Sequence, residues 1–126
     1  MTTSQIKAKT ELYFKDHFTD APIVYEGQNF ETPSDKHWIQ LQFIAYDREY
    51  LGDCNLRAID YTMMKIRAFG SNPTKSMQLM DKVGTFLECY QDGNIYYELG
   101  KPDGNGTMDI NGVYATTVDF LAKTYS

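Results

Sequence analysis

Apolar positions along this chain follow two periods, and the switches between them mark out helices and strands. From Ser4 to Phe18 the spacing is helical: Ile6, Thr10, Tyr13, Phe14 and His17 fall on one stripe, with Leu12 and Phe18 at its edges. Thr3 or Ser4 can cap the orphan amides at its start, and Asp20-Ala21-Pro22 ends it, because the residue before proline is pushed out of the helical region. Ile23-Val24-Tyr25 reads as a short strand, Glu26-Gly27-Gln28-Asn29 as a turn, Phe30 as an apolar anchor and Glu31 to Lys36 as a loop. From Trp38 to Tyr46 the period drops to two, with Ile39, Leu41, Phe43 and Ala45 on one face and Gln40 and Gln42 on the other.

A second long strand runs from Tyr61 to Phe69, with Thr62, Met64, Ile66 and Ala68 facing a core and Lys65 and Arg67 facing out. Asn72 and Pro73 then form a strong helix start, as N-cap and first helical residue. The stripe predicted for this helix is Met77, Met80, Val83, Gly84 and Leu87, closed by Gln91-Asp92-Gly93-Asn94. Strands over Ile95–Leu99 and Val113–Ala122 follow, joined by a glycine-rich connection from Lys101 to Gly112, and the last strand keeps Tyr114, Thr116, Val118 and Phe120 on one side. The order helix, three strands, helix, two strands predicts an α+β fold, with two helices packed on one face of a mainly antiparallel sheet of about five strands. At 126 residues this is one domain over residues 1–126, large enough to fold around its own core.

Between the two long strands lies a polar excursion, Asp47 to Arg57. A connection of that length in a compact domain calls for an explanation. Arg48, Glu49, Tyr50, Leu51 and Asp53 are its candidate contact residues, since a Tyr and a Leu are costly to leave in water. Two readings stand open: a contact arm, or a solvated loop whose Leu51 folds back onto its own domain.

Composition narrows the partners. Net charge is −5, which opposes affinity for a phosphate backbone. No apolar run approaches the roughly 20 residues of a membrane span, and the N-terminus lacks the apolar core of a signal peptide, so a soluble chain without membrane contact is expected. Two cysteines, Cys54 and Cys89, suggest reduced thiols in a cytoplasm-like compartment, with Cys89 in the core. Ten Tyr and seven Phe suit half-buried strand faces and protein interfaces.

Chemistry is harder to find. Asp103, Asn105, Thr107 and Asp109 imitate the first positions of a calcium loop, but Met108 replaces the turn glycine and Tyr114 the final glutamate, so a flexible hairpin connection is the better reading. His17 and His37 have no second ligand at metal spacing, and Cys54 has no histidine beside it to make it a nucleophile. Neither phosphate-cradling glycine pattern occurs. No catalytic, cofactor or metal residue is therefore expected, and an enzyme is not.

The N-terminal helix, Ile23-Val24-Tyr25-Glu26-Gly27-Gln28-Asn29-Phe30, the long alternating strand, the extended connection, Met64-Lys65-Ile66-Arg67-Ala68-Phe69 and the Asn-Pro-opened helix together resemble the tail terminator proteins of long-tailed bacteriophages. The likeness runs from about Ile6 to Phe120 and rests on order and texture, above all on Val24-Tyr25-Glu26 and Phe30; Gly27 stands where many relatives carry Asn. The resemblance implies a homo-oligomer, a hexameric ring that caps the tail tube protein, stops tube growth and meets the head-completion (neck) proteins. It also implies assembly in the host cytoplasm, residence in the virion, and DNA passing through an acidic lumen without specific binding. Another neck component, for tail completion or head closure, is the alternative; a small ligand-binding α+β domain is a more distant one.

Overall fold

A computed structural model describes residues 3–27, 37–51, 57–90, 95–108 and 112–125. Its elements run α1 (Thr3–His17), β1 (Ile23–Val24), β2 (Trp38–Leu51), β3 (Arg57–Gly70), α2 (Pro73–Glu88), β4 (Ile95–Met108) and β5 (Tyr114–Tyr125). The five strands form one sheet in the order β1-β2-β3-β5-β4. The β1–β2 pair is parallel and the other three pairs are antiparallel. This is the expected α+β architecture.

Cross-strand rows show where the core sits. Ile39–Ala68–Thr116, Leu41–Ile66–Val118 and Phe43–Met64–Phe120 stack side by side on the helix-bearing face. Met64, Ile66 and Ala68 are wholly buried, and Phe14, Phe18, Leu79, Met80, Val83 and Leu87 close over them from the helices. Burying each such side chain is worth roughly 1.5–3 kcal/mol. The α1 stripe is narrower than its spacing suggests. Ile6, Thr10, Phe14 and Phe18 are buried at successive four-residue steps, while His17 is exposed and Tyr13 is half-buried, stacked on Phe86 with ring centroids 4.2 Å apart.

The start of α2 is as predicted: Asn72 is extended and its side-chain oxygen accepts from the Lys75 amide at 2.8 Å, with Pro73 opening the helix. Its buried face differs at two places, Ser76 and Leu79 standing in for Met77 and Gly84. Ser76, Leu79, Met80, Val83 and Leu87 face the sheet, whereas Met77 is 44% exposed and Gly84 is half-buried. The reason lies at Gly70, which ends β3: a Cβ there would stand 2.7 Å from the Ser76 amide, so the first turn of α2 packs directly on glycine backbone. The Ser76 hydroxyl donates to the Pro73 carbonyl at 2.8 Å and pairs with Thr116 Oγ1 at 2.9 Å. That contact turns Ser76 inward and Met77 away. On the opposite face of the sheet a smaller cluster forms around Trp38 and Phe69, which stack at 4.3 Å across their strand pair, with Val24, Val113 and Ala115 beside them.

Parts of two connections expected to be loops are strand. β2 continues through Leu51 and β3 begins at Arg57, so Asp47 to Leu51 is paired backbone rather than a free excursion. β4 likewise continues to Met108, with register shifts between Leu99 and Thr107 that accommodate the Gly- and Pro-rich stretch. Cys89, expected in the core, is exposed at the end of α2. Phe30, Cys54, Asp109 and Gln91 to Asn94 lie outside the described residues.

Candidate functional site

The β2–β3 pair is the longest feature of the molecule, and its two ends are built differently. Over 14 residues a strand spans about 45 Å at 3.2–3.4 Å per residue. A register shift between Phe43 and Ala45 leaves Ile44 over as a bulge and reverses the parity of everything after it. Phe43 pairs with Met64, but then Tyr46 pairs with Thr62, Arg48 with Asp60 and Tyr50 with Ala58. The alternation predicted for Ala45 therefore lapses: its backbone pairs with Met63, and it is Tyr46, Arg48 and Tyr50 that continue the core-side face. Beyond the Tyr46–Thr62 row that face turns polar, with Asp60 and Thr124 next to each other.

Asp60 is the anchor of this polar end. Its carboxylate is fully buried and takes three hydrogen bonds from β2: Arg48 Nε to Oδ1 at 2.6 Å, Arg48 Nη2 to Oδ2 at 3.2 Å, and the Tyr46 hydroxyl to Oδ1 at 2.8 Å. A two-pronged guanidinium–carboxylate pair fixes geometry as well as charge. The Arg48 bonds hold the Asp60 carboxyl down at about 2, against the opposing effect of burial and with help from Tyr46. The same carboxylate raises the Tyr46 phenol. The Arg48 guanidinium lies 6.0 Å from the Tyr50 ring centre, and the Tyr61 hydroxyl donates to Glu49 Oε2 at 2.9 Å on the other face. Tyr46 and Tyr50 remain 44% and 55% exposed.

An open depression of about 400 Å³ lies against this corner, lined by Tyr46, Asp47, Glu49, Tyr61, Met63 and Leu121. Its lining carries two carboxylates and two phenols beside the apolar Met63 and Leu121. The outer edge of β2 is secured near its middle by Glu26, whose carboxylate accepts the Phe43 amide and stands 3.8 Å from Lys7. Gly27 follows with φ +78, a conformation that suits glycine in the turn.

At the opposite end of the same strands is a second cavity of about 290 Å³, lined by His37, Ser71, Lys75, Gln78, Leu79 and Lys82. His37 precedes β2 and Ser71 follows β3, so this groove sits at the base of the pair, beside the first turns of α2. His37 Nε2 is 3.0 Å from the Asp20 carbonyl oxygen, and Lys82 Nζ is 3.8 Å from the Asp20 carboxylate. Among the described residues no group of three His, Cys, Asp or Glu side chains could hold a metal ion. Among the described residues no helix is long and apolar enough to cross a membrane.

Of the five candidate contact residues, the structure gathers four on the corner. Arg48 is turned onto its own Asp60, Glu49 and Tyr50 are exposed, Leu51 ends the strand paired with Arg57, and Asp53 lies outside the described residues. Sequence reasoning missed Tyr46 and Asp60. The signal was present in Asp60, an acidic residue in phase with the core-facing Thr62, Met64, Ile66 and Ala68, which demands a buried partner. His37 carried no signal for the groove, because it is far in sequence from Lys75 and Lys82, two turns apart on α2, and meets them only through the fold.

No family model matches the chain, and no curated protein matches it. Among solved structures 18 chains match. One of them is 12% identical, aligns over 98% of this chain and 96% of its own, and gives a TM-score of 0.53; its name states no function. That likeness concerns the fold alone.

Proposed function

We propose that this protein is a structural component of a long-tailed phage: a tail terminator that forms a ring on the end of the tail tube, stops its growth and meets the neck proteins. The observation that carries the reading is the far corner of the β2–β3 pair, where an ion pair between the exposed Arg48 and the buried Asp60 rigidifies a surface bearing exposed Tyr46 and Tyr50. Aromatic residues on a rigid frame are what protein contacts use, since little conformational freedom is lost when they bind. The resemblance in element order and in Val24-Tyr25-Glu26 adds to it. Glu26 has a structural task in this chain, securing the β2 edge at Phe43. The partners are further copies of the chain, the tail tube protein and a head-completion protein, and the contacting residues include Glu49 and Tyr50.

The reading is tested by polymerising the tail tube protein of the same phage with and without this protein and measuring tube length by electron microscopy. Shorter tubes with a density cap at one end are expected. Tyr50→Ala, an exposed position, is expected to reduce capping at least about tenfold with folding unchanged, the scale of one interface anchor. Tubes of unchanged length and bare ends would contradict it.

A further inference from the structure

The two ends of the β2–β3 pair carry opposite charge. At the far corner Asp47 and Glu49 are exposed, and their hydrogen-bond donors, the Arg48 amide and the Tyr61 hydroxyl, are neutral. Two neighbouring cations are already committed, Arg48 to Asp60 and Lys123, over the Tyr61 ring, to Glu98 at 2.7 Å. The corner therefore presents negative charge outward. At the base, the groove between His37, Ser71 and the first turns of α2 presents Lys75 and Lys82. Lys82 is held only loosely by Asp20, at 3.8 Å with both side chains about half-exposed, which is a weak commitment. This is a cationic concavity on a chain whose net charge is −5.

Corner and groove cannot meet within one molecule. Asp47 stands nine residues along β2 from Trp38, which is about 30 Å at strand rise, and pairing with β3 on both sides of the Ile44 bulge keeps the strands extended between them. Two complementary surfaces at opposite ends of one rigid element, facing away from each other, define a head-to-tail contact between copies, the kind that closes into a ring when the rotation permits. We infer that the Lys75–Lys82 groove of one copy receives the Asp47–Glu49 corner of the next. This inference rests on the ring reading above and assigns the surface that the corner docks on. His37, on the rim, would border the incoming carboxylates.

Charge reversal in two proteins separates the possibilities. One variant carries Lys75→Glu with Lys82→Glu, so that groove and corner are both negative; the other carries Asp47→Lys with Glu49→Lys, so that both are positive. Self-association is measured by sedimentation and native mass spectrometry at about 50 mM and about 500 mM salt, where screening differs severalfold. Each variant alone is expected to associate at least about tenfold more weakly than wild type at low salt, because like charges face each other. An equimolar mixture is expected to recover assembly with the two proteins alternating, which also shows that both are folded. If either variant alone assembles like wild type, or the mixture of folded variants fails to assemble, the groove contact is wrong while the ring reading stands. If wild type stays monomeric and leaves tube ends bare, both fall.

Discussion

The base and the far corner of the β2–β3 pair are made from the same two strands yet held by different forces. At the base Leu41, Met64, Ile66 and Ala68 lie under two helices, and hydrophobic burial sets both register and stability. Towards the corner the apolar cover described is a smaller cluster of Ile6, Ile95 and Ala122, and register is set there by the Arg48–Asp60–Tyr46 cluster and by backbone pairing. A small domain can thus keep a contact surface in shape without hiding it: the apolar core secures the molecule, and an ion pair from exposed Arg48 onto buried Asp60 secures the corner. A charge pair of this kind contributes little net stability and much geometric definition.

If the comparison holds, substitutions at the base should lower global stability and substitutions at the corner should act locally. Ile66→Ala is expected to cost about 2–5 kcal/mol in denaturant unfolding, as a large-to-small change in a fully buried site. Gly70→Ala should cost about 1–3 kcal/mol, because its new Cβ would meet the backbone of α2 at 2.7 Å. Gly84→Ala is the contrasting case. A Cβ there meets nothing within 4 Å, so stability should rise by about 0.5–1 kcal/mol as helix propensity improves. A loss at Gly84 would break this account of how α2 sits.

Asp60→Asn should have the smallest global effect of the four. Hydrogen exchange at the amides of residues 46–50 should quicken by about tenfold or more, the equivalent of one lost charged hydrogen bond, while base amides keep their protection. The same cluster has a pH signature. The Asp60 carboxyl lies at about 2 when folded against an ordinary value of 3.8, so its contribution is complete above about pH 4 and lost as pH falls through about 2. Corner amides in wild type should lose protection across that window, and Asp60→Asn should abolish the step. An Asp60→Asn protein with unchanged corner protection would show that backbone pairing alone holds this end.

The sequence was most legible where one period governed a whole element. The even positions from Thr62 to Ala68, the Asn72-Pro73 start and the strand core of Ile39 and Leu41 all face as their spacing predicts. It was least legible where polar residues occupy both faces of a strand. Asp47 to Leu51 has no apolar alternation, because its core-side positions hold Arg48 and Tyr50, so its strand character comes from pairing with β3. The Ile44 bulge hides the link further by reversing phase in mid-strand. Within the candidate site, Glu49 and Tyr50 were visible as an unusual surface, whereas the Asp60 anchor was concealed by distance along the chain.

The proposed ring is decided by native mass spectrometry of this protein mixed with the tail tube protein proposed as its partner. A hexameric assembly built from 14.5 kDa subunits, retained on the tube protein and weakened by added salt, is the expected result. A 14.5 kDa monomer under all conditions, with no association to the tube protein, would contradict it.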